Sequence, residues 1–213
     1  MMKLIITIVG LLGICFAQPY QTPNYDEISK LINSEGENNY KTLLAKLTNN
    51  DTLLNKDQYF ILYYGQVLQE NYSPTKTNQQ LTELAKNKNF EEYITVAKEH
   101  LKSVPFDLRT RNSLVNLLYE KNDPDSKIYY HALDGFLSAI FGSGNGKSKE
   151  TALYVLSPSD EYIILNILSL SFNKRWADPP YDIFELKENK YAMQHIYFNL
   201  TRYFEKLNDL FKK

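Results

Sequence analysis

Cysteine is nearly missing from this chain: Cys15 is the single one in 213 residues. One thiol permits no internal disulfide and no paired-cysteine metal cluster, so the fold must be held by its core. Histidine is scarce too. His100, His131 and His195 are the only three, and none is spaced as H-x-x-x-H or H-E-x-x-H. A metal centre would need all three to converge from distant segments, so neither a metal nor another cofactor is expected. Charge of one sign is also lacking, with 24 lysines and arginines against 25 acidic residues. That balance gives no electrostatic basis for binding nucleic acid. The clearest uninterrupted apolar run, Leu4 to Ile14, falls short of the roughly 20 residues needed to cross a bilayer.

That run does have a use. Met1, Met2 and Lys3 make a short basic start, and Cys15-Phe16-Ala17 ends it with small residues at both outer positions. The pattern is that of a secretory signal, residues 1–17, cleaved between Ala17 and Gln18. No transmembrane segment is then expected in the mature chain. A lipoprotein reading would make Cys15 the anchored residue, but Ile14 is a poor fit where lipobox patterns want a small side chain. The expected location is therefore the periplasm or the medium, with lipid anchoring as the alternative.

Tyrosine is abundant, at 17 residues. Half-buried tyrosines packing between helices account for this, and an aromatic recognition surface is the functional alternative. From Tyr25 to Phe141 the periodicity is helical. Tyr40, Leu43, Leu44 and Leu47 share a face, as do Phe60, Tyr63, Tyr64, Val67 and Leu68. Thr77-Asn78-Gln79-Gln80 has the form of a capping box. Phe90, Tyr93, Ile94, Ala97, Leu101 and Val104 make a stripe that stops before Pro105. Leu108, Val115 and Leu118 form another, and a last one runs from Ile128 to Ile140. Six helices in hairpins are expected. Helix starts near Lys56, Phe90 and Pro124 recur about every 34 residues, the length of a tetratricopeptide unit. Tyr93 and His100 stand where that repeat usually has alanine, so the array is degenerate, with an ordinary helical bundle as the alternative.

Beyond Gly146 a strand is expected over Thr151 to Leu156. Ser157-Pro158-Ser159-Asp160 then reads as a helix start, with helix favoured over Glu161 to Leu170. A hairpin comes next, from Asp182 to Phe198. The chain closes on an amphipathic helix through Leu200, Tyr203, Phe204, Leu207, Leu210 and Phe211. The fold expected is mainly α: a tetratricopeptide-like helical-hairpin lobe over residues 18–141, followed by a small α+β lobe over 142–213.

The stretch Phe141-Gly142-Ser143-Gly144-Asn145-Gly146-Lys147-Ser148 imitates half of a phosphate-binding loop. G-x-x-x-x-G-K-[ST] needs four residues between its glycines so that backbone amides can wrap a phosphate. Here Phe141 occupies the place of the first glycine. The loop also leaves a helix and enters a strand, the reverse of a P-loop. It reads as a glycine-rich joint, with an anion site through Lys147 and Ser148 as the lesser reading.

Other candidates are weak individually. His131, Asp134 and Ser138 supply triad residue types, but one helix would hold His131 and Ser138 about 10 Å apart with the carboxylate between them. Asp160 and Glu161, with Asp178 and Asp182, offer carboxylates for acid–base work or calcium. Trp176, in an Arg175-Trp176-Ala177-Asp178 loop, offers an aromatic contact for glycan or peptide. Asp160, Glu161, Trp176 and Lys147 are the candidate ligand-binding residues, and no catalytic set emerges.

Leu62-Tyr63-Tyr64-Gly65-Gln66-Val67 through Asn71-Tyr72-Ser73-Pro74, then Gly144-Asn145-Gly146 with Glu150-Thr151-Ala152, Asp160-Glu161-Tyr162 and Tyr197-Phe198-Asn199 resemble the ordered signatures of one family. It is the exported Bacteroidetes family catalogued as domain of unknown function 4919. Its members have Gly-Asp-Gly where this chain has Asn145, which removes a carboxylate there. The resemblance implies an exported bacterial protein and transfers no activity. The function expected is a non-enzymatic protein-interaction or binding module of the cell envelope, with a protein partner. A hydrolase or glycan-binding protein with its site between the lobes is the alternative.

Overall fold

The computed structural model describes residues 20–70, 72–73 and 78–211, and the backbone alone at 210 and 211. The segment expected to be a signal, with Cys15, the motif residues Asn71 and Pro74, Thr77, and the side chains of Leu210 and Phe211 lie outside the described residues. Among the described residues, seven α-helices precede the glycine loop: α1 (Tyr25–Asn33), α2 (Tyr40–Thr48), α3 (Lys56–Gly65), α4 (Gln79–Lys86), α5 (Phe90–Ser103), α6 (Leu108–Glu120) and α7 (Asp125–Ser143). The six expected from periodicity omitted α1. Val67 and Leu68 belong to a 3-10 turn, Gln66–Leu68, rather than to α3.

Asparagine starts these helices repeatedly, because its short amide can accept from backbone N–H groups that have no helical partner. Asn24 accepts from the amides of Asp26 and Glu27, Asn39 from those of Lys41 and Thr42, and Asn55 forms a full capping box with Gln58. For α4 the cap is Asn78, accepting from the Leu81 amide, so a simple cap stands in place of the box expected from Thr77, Leu81 having no side-chain oxygen to complete one. Asp107 caps α6 through the Thr110 amide. Each such cap stabilises its helix by about 1 kcal/mol.

The helix ends are as regular. Asn50, Lys88, Asn122 and Ser169 all have φ between 55° and 58°. Immediately after each, an amide donates back five residues: Asp51 to Lys46, Asn89 to Leu84, Asp123 to Leu118, Leu170 to Leu165. This is the left-handed ending usually given to glycine, here made with polar residues. The glycines are thereby released for close approaches.

Helix starts at Lys56, Phe90 and Asp125 keep the hairpin spacing. α7 packs along both α3 and α6, which makes it the central helix of the lobe. Its Gly135 lets the Tyr59 ring of α3 lie against the backbone, where a Cβ would stand 2.2 Å from the ring. Tyr59, Tyr63, Tyr64 and Phe136 are almost wholly buried there, in edge-to-face contact. The tyrosines of α3 are thus core residues, more deeply placed than a half-buried packing would make them.

α7 continues through Ser143, two residues past the expected Phe141, and the loop then enters β1 (Leu153–Tyr154). The expected strand from Thr151 to Leu156 shrinks to that pair. α8 (Pro158–Ile167) comes next, then β2 (Phe172–Asp178), β3 (Tyr181–Leu186), β4 (His195–Asn199) and α9 (Thr201–Phe211). The four strands form one sheet in the order β1-β4-β3-β2, with β1 parallel to β4 and the other pairs antiparallel. The segment Arg175 to Asp178, expected as a loop, is strand β2, paired residue for residue with β3. Phe184 of β3 packs edge-to-face on Tyr162 of α8, Phe172 and Phe198, and α8 also lies against α6. Helical lobe and sheet therefore share α8 as a common layer.

Candidate functional site

A cleft of about 610 Å³ opens between the helical hairpins and the start of α8. Its walls come from α2, the 3-10 turn, α4, α5, the Val104-to-Thr110 bend and Leu156 to Asp160. Most of its lining belongs to residues 40–113, with only Leu156, Ser157, Ser159 and Asp160 from beyond the glycine loop. Of the four candidates from sequence, Asp160 alone lines it.

Asp160 sits on the first turn of α8 and is buried. The Tyr63 hydroxyl of α3 donates to its Oδ2 at 2.8 Å and accepts from the Leu156 amide at 3.3 Å. Burial lifts its carboxyl to about 6, against opposing hydrogen bonds from Tyr63, Ser157 and Leu156. The Asp107 charge pushes it slightly further in the same direction. Tyr72 closes this end, its hydroxyl donating to the Leu156 carbonyl at 3.0 Å.

The opposite wall holds a second polar group. Asp107 Oδ2 accepts from the Thr110 hydroxyl at 2.7 Å and lies 3.0 Å from His100 Nε2. His100 Nδ1 lies 3.5 Å from the Asn78 amide nitrogen, an arrangement that suits the tautomer with its proton on Nε2. His100 is therefore tied into the α5–α6 bend. Gln66 and Gln69 point their amide nitrogens at the carbonyls of Tyr63 and Gly65, at 3.0 and 3.2 Å. Their amide oxygens accept no hydrogen bond among the described residues. Lys41, Lys102 and Arg109 stand exposed on the rim.

Glu161 follows Asp160 by one residue but faces the sheet, since consecutive helical residues point about 100° apart. It is fully buried, and no hydrogen bond from a donor among the described residues reaches either carboxylate oxygen. Arg175 Nη2 of β2 lies 3.4 Å from Glu161 Oε2 and is paired directly with Asp182 of β3, which is also buried. Burial, followed by the Asp182 charge, pushes the Glu161 carboxyl up to about 9, with Arg175 opposing. Asp160 and Glu161 do not form a carboxylate pair. Glu161 and Asp182 do.

Trp176 lies on the other sheet face, edge-on to His195 at 5.8 Å, with Lys174 5.7 Å above its ring. Lys147 is exposed, and the loop's polar groups are used internally: the Asn145 side-chain oxygen accepts from the Lys147 amide and the Thr151 hydroxyl. Lys149, not Lys147, makes an ion pair, with Asp178. His131 is turned to the Leu54 carbonyl at 3.3 Å and the Tyr59 ring, away from any triad with Ser138. No three His, Cys, Asp or Glu side chains gather to hold a metal among the described residues.

Sequence reasoning missed Asp107, Tyr72, Gln66 and Gln69 as cleft residues, and Arg175 as the partner of two carboxylates. Asp107 alone left a signal, as an acidic residue immediately after Pro105 and Phe106 and before a helical stripe.

The fold and cleft define a mainly helical protein with a small four-stranded mixed sheet, joined through α8. The chain belongs to the family described as Domain of unknown function (DUF4919), whose model matches residues 26–209. No curated protein and no solved structure matches it.

Proposed function

We propose that this is an exported, non-enzymatic binding protein whose cleft receives an extended segment of a protein partner. The observation that carries the reading is the 610 Å³ cleft itself, in the size range of ligand sites, crossing five helical elements and the tip of α8. Its chemistry suits a polypeptide backbone. Gln66 and Gln69 are anchored through their nitrogens, which leaves their oxygens to accept from backbone N–H groups. Tyr72, partly exposed, adds an aromatic contact at low entropic cost, over a floor that includes the buried Tyr40 and Tyr93. Tetratricopeptide-like hairpins, export through residues 1–17 and an origin in Bacteroidetes belong to the same reading: the helix spacing supports the first, the leader pattern the second, and the family resemblance of the sequence motifs the third.

A second reading has one observation in its favour. Asp160 is a cleft carboxyl whose burial keeps it protonated up to about pH 6, as a general acid requires, and Asp107 faces the same space. That arrangement suits a hydrolase acting on a peptide or glycan held there.

Selection of peptides from a random display library on the immobilised mature protein tests both. The binding reading expects enriched peptides that remain intact and lose at least about tenfold in affinity in the Gln66→Ala, Gln69→Ala double variant. Cleavage of those peptides, abolished by Asp160→Asn, would favour the hydrolase. Failure to enrich any sequence sinks the peptide-binding reading.

A further inference from the structure

Glu161 and Asp182 present a charge imbalance buried in the protein. Two carboxyl groups, one wholly buried and the other nearly so, face a single guanidinium, Arg175, whose side chain is 34% exposed. Arg175 satisfies Asp182 and only approaches Glu161, whose oxygens are left without a donor. If both carboxyls were ionised, the cluster would hold a net negative charge out of water, at a cost that proteins avoid by retaining a proton. A proton on Glu161 removes the excess charge and turns the orphaned carboxylate into a donor toward Asp182.

The remaining charged and titratable groups facing Glu161 do not supply the missing cation. From α8 come Asp160, which is acidic, and Tyr162, whose hydroxyl lies 3.4 Å from Arg175 Nη1. From β2 comes Arg175 and from β3 comes Asp182. From α6, packed on α8, Asp107 acts on Asp160 and adds further negative charge.

The placement makes this more than a local matter. α8 is held on one side by Asp160 to Tyr63 of α3, and on the other by Glu161 to β2 and β3, through consecutive residues. The same first turn forms a wall of the cleft. We propose that the Glu161–Asp182–Arg175 cluster is a proton-held latch that seats α8 on the sheet, so that proton loss loosens the α8 wall of the cleft. As a statement about regulation of the cleft it rests on the binding reading, but the latch itself can be tested without any ligand.

The test is hydrogen exchange of the full mature protein, followed by mass spectrometry over residues 158–167, with wild type and Glu161→Gln compared at each pH from 6 to 9. Glutamine keeps the donor toward Asp182 and cannot ionise. The ratio of wild-type to variant exchange should rise at least about tenfold from pH 6 to pH 9, one pH unit being worth a factor of ten per proton. Asp182→Asn should flatten the pH dependence from the opposite side. A ratio independent of pH overturns the latch, as does faster exchange in both variants at every pH, which would mark a purely structural role. In a second arm, affinity for a selected peptide should fall with pH in wild type and not in Glu161→Gln. A working latch with no peptide bound would leave the proton switch standing and count against the cleft as a peptide site.

Discussion

Two glycines two residues apart should respond to alanine with opposite signs. Gly144 is fully extended, a conformation open to any residue, so backbone strain plays no part. Space decides it. A Cβ there would lie 2.4 Å from both the Thr151 and Ala152 carbonyl oxygens, well inside any real contact. The Thr151 carbonyl already accepts from the amides of Asn145 and Gly146, at 3.0 and 2.7 Å. Pushing it aside loosens both bonds, at about 1 kcal/mol each, and forced overpacking adds about 1–3 kcal/mol. Gly144→Ala should therefore destabilise by about 3–5 kcal/mol, lowering the melting temperature by about 6–20 °C for a chain of this length. Gly142 is exposed in the last turn of α7 with nothing within 4 Å of its would-be Cβ. Alanine there should stabilise by about 0.5–1 kcal/mol, since glycine gives up more backbone freedom on entering a helix. Urea unfolding followed by circular dichroism, with both variants and wild type in one buffer, measures the pair. Equal signs, or a Gly144→Ala protein within about 0.5 kcal/mol of wild type, would refute this account of the joint.

Gly135→Ala should cost about 2–4 kcal/mol, because its Cβ would enter the Tyr59 ring and that ring is held by Phe136 and His131. A loss below about 0.5 kcal/mol in urea unfolding would show that the α3–α7 contact has room to spare. Stability should also fall as pH rises. Asp160 and Glu161 have folded-state values of about 6 and about 9, above their ordinary 3.8 and 4.5, so the folded state holds more protons between those limits. Their contribution is complete below about pH 4 and lost as pH climbs toward 9, with a slope of up to about 1.4 kcal/mol per pH unit for each retained proton. In Glu161→Gln the loss above pH 6 should largely disappear, and an unchanged profile would contradict the assignment.

The helices were legible because their signals are local. Apolar stripes at helical spacing gave α2 through α7, and Ser157-Pro158 announced α8. α1 escaped because Ile28 and Ile32 are its only buried residues, too few to make a stripe. β2 escaped for a different reason. Phe172 to Asp178 is polar and mostly exposed, an edge strand hydrogen-bonded on one side alone, to β3, so its sequence shows no apolar alternation. The cleft was illegible beyond Asp160 because its walls join residues from Tyr40 to Asp160 that are unexceptional one by one. Glu161, Asp182 and Arg175 could each be read from the sequence, but which carboxylate meets which depends on strand register, as Arg175 opposite Phe184 shows.

The hydroxyls of the α3 region place a condition on the order in which the protein forms. Tyr63 donates to Asp160, Tyr64 to the Tyr154 carbonyl at 3.0 Å, and Tyr72 to the Leu156 carbonyl. All three acceptors lie more than eighty residues later in the chain. In a polypeptide emerging from its amino end these hydroxyls have only water to bond until the glycine loop and α8 arrive. The second half of the chain thus supplies the partners that finish the core of the first.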